Sequence, residues 1–102
     1  MDKIAALSEI LTADPTNAFA RYGLAMEYGT QGNTDLALSE FTTLLHHNPD
    51  YVPAYQMSAQ TLAKLGRTDE AVTRLKEGLS AAQRTGNAHA ASEMQALLDD
   101  LS

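Results

Sequence analysis

Apolar residues recur at helical spacing along most of the chain. Ile4, Leu7, Ile10 and Leu11 follow the pattern of a helix buried on one face. Asp14-Pro15 closes that helix, because proline disfavours helical geometry in the residue before it and has no amide proton to donate. Thr16 or Asn17 stands where the next helix needs a cap. Phe19, Tyr22, Leu24, Ala25, Met26 and Tyr28 then place apolar groups around more than one stripe, which predicts an inner helix contacted on two sides.

Gly29, Gly32 and Asn33 predict a turn, with Thr34 as the N-cap of a helix beginning at Asp35, whose carboxylate favours the positive end of the helix dipole. Leu36, Ala37, Leu38, Phe41, Leu44 and Leu45 give that helix its apolar face, and Asn48-Pro49 ends it. Pro53 sits where a helix start tolerates a missing amide proton, and Ala54, Tyr55, Met57, Ala59, Leu62 and Leu65 continue the pattern. The turn at Gly66 predicts a left-handed cap, with Thr68 capping a helix through Ala71, Val72, Leu75, Leu79 and Ala82. After a break at Thr85-Gly86-Asn87, the stripe Ala90, Met94, Leu97, Leu98 and Leu101 predicts a last amphipathic helix with Glu93, Asp99 and Asp100 in water.

These elements repeat. Displaced by 34 residues, Asp14-Pro15 falls on Asn48-Pro49, Tyr28 on Leu62, Gly32 on Gly66, Ala37 on Ala71 and Phe41 on Leu75. A period of this length is the mark of stacked helical hairpins, whose exposed end needs an atypical covering helix. Residues 88–101 fit that covering role. The expectation is one all-α domain over 1–102, a short right-handed solenoid of about six antiparallel helices. Ala25 with Ala37, and Ala59 with Ala71, stand where paired helices must cross closely. Phe41 and Leu75, with Tyr28 and Leu62, are expected to fill space between hairpins.

Composition narrows the chemistry. The chain has 102 residues with no Cys and no Trp, so disulfides, thiolate zinc ligation and a cysteine nucleophile are all excluded. Thirteen acidic against seven basic residues give a net charge of −6, of which residues 1–50 carry −5. That half repels nucleic acid and anionic lipid, so neither is expected as a partner. Lys64, Arg67, Arg74 and Lys76 read as solvated helix faces, with a local basic patch in the second half as the alternative. An acidic Asp2 and the lack of a long apolar run argue against a signal peptide or a membrane span, and a cytoplasmic location is expected.

The aligned pattern resembles the tetratricopeptide repeat. Ala25 through Tyr28, Gly32, Asp35-Leu36-Ala37, Phe41, Leu44 and Asn48-Pro49 match one repeat over 18–51. Tyr55, Ala59, Leu62, Gly66, Asp69-Glu70-Ala71 and Leu75 match a second over 52–85, and residues 2–14 resemble the second helix of a preceding half repeat. Four positions depart from the family pattern. Arg21 replaces an aromatic, Ser58 a leucine and Gly78 an alanine-like residue, and Gln83 stands where the period calls for proline. Gly78 is read as admitting close packing against the last helix, with a bend as the alternative.

The resemblance implies a binding role without catalysis, with the first helix of each hairpin lining a concave groove. The residues so placed are Phe19, Tyr22, Gly23, Met26 and Thr30, then Pro53, Gln56, Met57, Gln60 and Lys64. Phe19, Tyr22, Met26 and Met57 would offer apolar contacts to a peptide or protein, while Gln56, Gln60 and Lys64 orient it. Family members that bind chaperone C-terminal carboxylates use Lys and Asn at places held here by Tyr22, Met26, Gln56, Met57 and Gln60, so such a tail is not the expected ligand. Covering of the same apolar residues by the last helix or by another copy, as a homodimer, is the alternative. A small hydrolytic enzyme is a minor one: no acid and base are placed together, Gly29-Thr30-Gln31-Gly32 lacks the features of a phosphate loop, and adjacent His46 and His47 do not form a metal-ligating i, i+4 pair. No cofactor or metal is expected.

Overall fold

The computed structural model describes residues 2–102, which form six α-helices and, among the described residues, no strand: α1 (Lys3–Ala13), α2 (Ala18–Thr30), α3 (Thr34–His47), α4 (Val52–Lys64), α5 (Thr68–Thr85) and α6 (Ala88–Leu101). The fold is all-α. The chain divides into two compact units, one ending at Asn48 and one beginning at Pro49.

In the first unit, α2 packs on both α1 and α3, as its apolar circumference predicts. Leu11, Ala20 and Leu24 form a buried cluster, with Ile4, Leu7 and Tyr28 packed against it. Ala25 and Ala37 are buried, which lets the paired helices α2 and α3 approach closely. Asp2 Oδ1 accepts from the Ala5 amide at 2.8 Å and Asn17 Oδ1 from the Ala20 amide at 2.9 Å, so each side chain satisfies one of the unbonded amides at a helix start. Of the two candidate caps for α2, Asn17 is the one used.

In the second unit, α5 packs on α4 and α6, and α4 also touches α6. Ala59, Ala71 and Leu75 are buried, together with Val52, Ala54, Tyr55, Leu62, Ala81, Ala82 and Met94. With no proline at Gln83, α5 runs on to Thr85 and ends at Gly86, whose φ of 69° is left-handed. The Asn87 amide reaches back to the Ala82 carbonyl at 2.8 Å. The turns at Gly32 and Gly66 close in the same way, through Asn33 to Tyr28 at 2.8 Å and Arg67 to Leu62 at 2.9 Å.

Thr34 and Thr68 do not cap α3 and α5. Each is the first residue of its helix, the cap positions are Asn33 and Arg67, and neither makes a side-chain cap bond. The glycine-based closure of the preceding helix already fixes the path one residue earlier. At α5 the Arg67 guanidinium instead forks onto the carboxylate of Glu70, with one arm at 2.9 Å, and this bond holds the Glu70 carboxyl below its ordinary pKa.

Gly78 serves close packing. A Cβ there would stand 2.6 Å from Met94 Sδ and 2.7 Å from Tyr55 Cβ, distances that real contacts do not reach. The glycine therefore lets α5 meet α6 and α4 at once.

Candidate protein-binding surface

The helical spacing of α2 places Phe19, Gly23, Met26 and Thr30 on one stripe, with Tyr22 at its edge. Phe19 is 80% exposed, and Met26 is half-buried. Tyr22 is also half-buried, because its ring meets Phe41 of α3 edge-on with centroids 6.0 Å apart. Gly23 is turned toward α1: a Cβ there would be 3.4 Å from the methyls of Leu7. The first unit thus presents Phe19 and Met26 to solvent, bordered by α1, while Tyr22 spends part of its ring on the α2–α3 packing.

On α4 the corresponding stripe holds Pro53, Gln56, Met57, Gln60 and Lys64. Pro53 and Lys64 are exposed, and Gln56, Met57 and Gln60 are half-buried. Two side-chain amides and a cation near the helix C-terminus give this stripe a different hydrogen-bonding set from the hydroxyls of Tyr22 and Thr30 on α2.

Two polar arrangements follow the same period. In the first unit Arg21 donates from Nη1 to Glu40 Oε1 at 2.6 Å and from Nη2 to the Pro15 carbonyl at 2.9 Å. In the second, Tyr55 donates its hydroxyl to the Pro49 carbonyl at 2.7 Å. Arg84 reaches that carbonyl too, at 3.3 Å, and pairs with Asp50 at 2.8 Å. Burial raises the Tyr55 pKa and nearby Glu77 adds to the rise, against the opposing pull of Arg84 and Arg74.

Asp50, the partner of Arg84, lines a feature that sequence reasoning missed. It is an open depression of about 420 Å³ lined by Asp50, Tyr51, Val52, Pro53, Thr85, Gly86 and Asn87. The available signal was the 34-residue separation of Asp50 from Arg84, which joins equivalent places of neighbouring repeats.

The histidines lie at two separate places, one on α3 and one on α6. His46 and His47 lie in the last turn of α3 with ring centroids 5.6 Å apart, both exposed, and His89 sits 3.1 Å from Glu93 on α6. Among the described residues no group of three or more His, Cys, Asp or Glu is placed to hold a metal ion, and no helix is long and apolar enough to cross a membrane.

Comparison with known proteins adds the family. A family model described as Tetratricopeptide repeat matches residues 30–98, well over half of the chain. The chain belongs to the tetratricopeptide repeat family. It is 32% identical over 77 residues to human Tetratricopeptide repeat protein 13, covering 71% of this chain and 9% of that protein. The chain thus spans about a tenth of the length of this curated relative. A solution structure of a tetratricopeptide repeat domain protein from Salinibacter ruber superposes with a TM-score of 0.82 at 32% identity, covering 87% of this chain and 90% of that one. The TPR2B domain of yeast Sti1, solved as a complex with pHsp70, superposes with a TM-score of 0.88 at 17% identity, over 96% of this chain and 78% of that one, a likeness of fold. Tetratricopeptide repeat domains are in general protein–protein interaction modules and non-enzymatic scaffolds.

Proposed function

We propose that this tetratricopeptide repeat chain is an adaptor module that takes a peptide or protein segment onto the first helices of its hairpins. The exposure of Phe19, on one stripe with Met26, carries the reading: a large aromatic group left in water on a family-typical binding helix is poised to be buried by a partner. On α4, Met57 adds apolar contact, and Gln56, Gln60 and Lys64 orient the bound backbone. Binding is preorganised burial, with no bond chemistry. Within this reading residues 2–14 act as the second helix of a half repeat, 18–51 and 52–85 as full repeats, and 88–101 as the cap of one domain. The capping role of α6 is supported by its section: Ala90 and Met94 are buried, while His89, Glu93, Gln95, Asp99 and Asp100 are exposed. A chaperone carboxylate tail remains an unsuitable ligand, because the stripes offer Lys64 without the family's Lys and Asn clamp.

The test is affinity capture from native lysate by the full chain, compared with Phe19→Ser and Met26→Ser. Both variants should keep the helical circular dichroism of the parent and lose the captured protein. Tyr22 is a poor choice of variant, since its ring also packs on Phe41. Undiminished capture by both variants would refute the α2 site.

A further inference from the structure

We infer that the α2 face of the first unit selects a cationic amphipathic segment of a partner protein, one with bulky apolar side chains flanked by Lys or Arg. The inference rests on the proposed α2 site and names the chemistry of its ligand. Up to Asn48 the chain carries Lys3 and Arg21 against Asp2, Glu9, Asp14, Glu27, Asp35 and Glu40, a net charge of −4. Arg21 adds little outward positive charge, because Glu40 and the Pro15 carbonyl hold it at 2.6 and 2.9 Å. Lys3 is then left among five other carboxylates.

Those carboxylates share the first unit with the apolar stripe. Glu27 follows Met26 on α2, and Asp2, Glu9 and Asp14 lie on or beside α1, the helix that borders the stripe where Leu7 meets Gly23. Glu9, Glu27 and Asp35 take part in none of the salt bridges among the described residues. α1 adds an apolar group of its own, Ile10, which is 45% exposed. A second copy docking through this face would bring two units of charge −4 together, and an acidic or neutral segment would leave the field uncompensated. A cationic segment gains from both the apolar stripe and the negative field of the unit that carries it. Charges of this kind act chiefly on partner choice and on association rate, and salt screens them.

A displayed library of random peptides, panned against the full chain, tests this directly. The expected binders carry bulky apolar residues and net positive charge. Their affinity should fall about tenfold or more between about 0.05 and about 0.5 M salt, fall severalfold with Glu27→Gln, and be lost with Phe19→Ser. Neutral or acidic binders that Phe19→Ser still abolishes would overturn the charge selection and leave the α2 site standing. Binders indifferent to Phe19→Ser, or a library yielding none, would overturn both. A dimer of the chain dissociated by Phe19→Ser would assign the face to self-association instead.

Discussion

Gly78 of α5 lies so close to Met94 of α6 that a methyl group added to it would stand 2.6 Å from the Met94 sulfur. Helix propensity alone makes Gly78→Ala stabilising by about 0.5–1 kcal/mol. Packing reverses the sign. Met94 can swing its thioether aside, but Tyr55 Cβ, 2.7 Å away, belongs to the rigid start of its side chain. Gly78→Ala should therefore destabilise the chain by about 1–3 kcal/mol, seen as a lower urea midpoint. Adding Met94→Ala should not restore the loss, since the clash with Tyr55 remains.

Arg21 and Tyr55 occupy the same place in successive repeats, and each donates to the carbonyl of the proline six residues before it, at 2.9 and 2.7 Å. Arg21→Ala strips this bond and leaves Glu40, whose side chain is 17% exposed, without its cation. A loss of about 1–3 kcal/mol is expected. Arg21→Tyr, which copies the second repeat, should lose less, and Tyr55→Phe should cost about 0.5–1.5 kcal/mol. Chemical denaturation of the four proteins gives the order; an Arg21→Tyr variant as unstable as Arg21→Ala would break the proposed equivalence.

The period made the helices, their order, the glycine turns and the crossing alanines legible, because backbone punctuation and small residues are dictated locally. Side chains that act over distance were not. Arg21 departs from an aromatic pattern, and only the positions of Glu40 and the Pro15 carbonyl explain why a cation serves there. Thr34 and Thr68 looked like caps by residue type, yet the helix starts are set one residue earlier by the chain leaving Gly32 and Gly66. On the candidate surface, spacing grouped Phe19 with Tyr22 and Met26, but it could not show that Tyr22 leans on Phe41 while Phe19 stands free of the core.

Tyr55 links stability to alkaline pH. Its pKa is raised above the ordinary 10.0, first by burial and then by Glu77. The protonated hydroxyl, which donates to Pro49, is therefore favoured more in the folded than in the unfolded chain. Stability from this group is fully present below pH 10 and is lost as pH rises from there through the higher folded value. Denaturant titrations across that window should show a decline that Tyr55→Phe blunts. An identical decline in the variant would place its origin elsewhere.

Ser58 is wholly buried where the family pattern has a leucine, and its hydroxyl donates to the carbonyls of Ala54 at 2.6 Å and Tyr55 at 3.2 Å. Both acceptors lie in the preceding turn of α4, so the hydroxyl satisfies itself locally and bridges to no other helix. Its removal takes away donor and bond together, and leaves a void of roughly one oxygen atom. Ser58→Ala should accordingly shift stability by less than about 1 kcal/mol. Restoring the family residue should do worse: the site is closed around a small side chain, and Ser58→Leu must displace its neighbours at a cost of about 1–3 kcal/mol. Thermal unfolding of the two variants reads the difference. A stabilising Ser58→Leu would mean that the packing around α4 opens readily, and that the serine is kept for a reason other than fit.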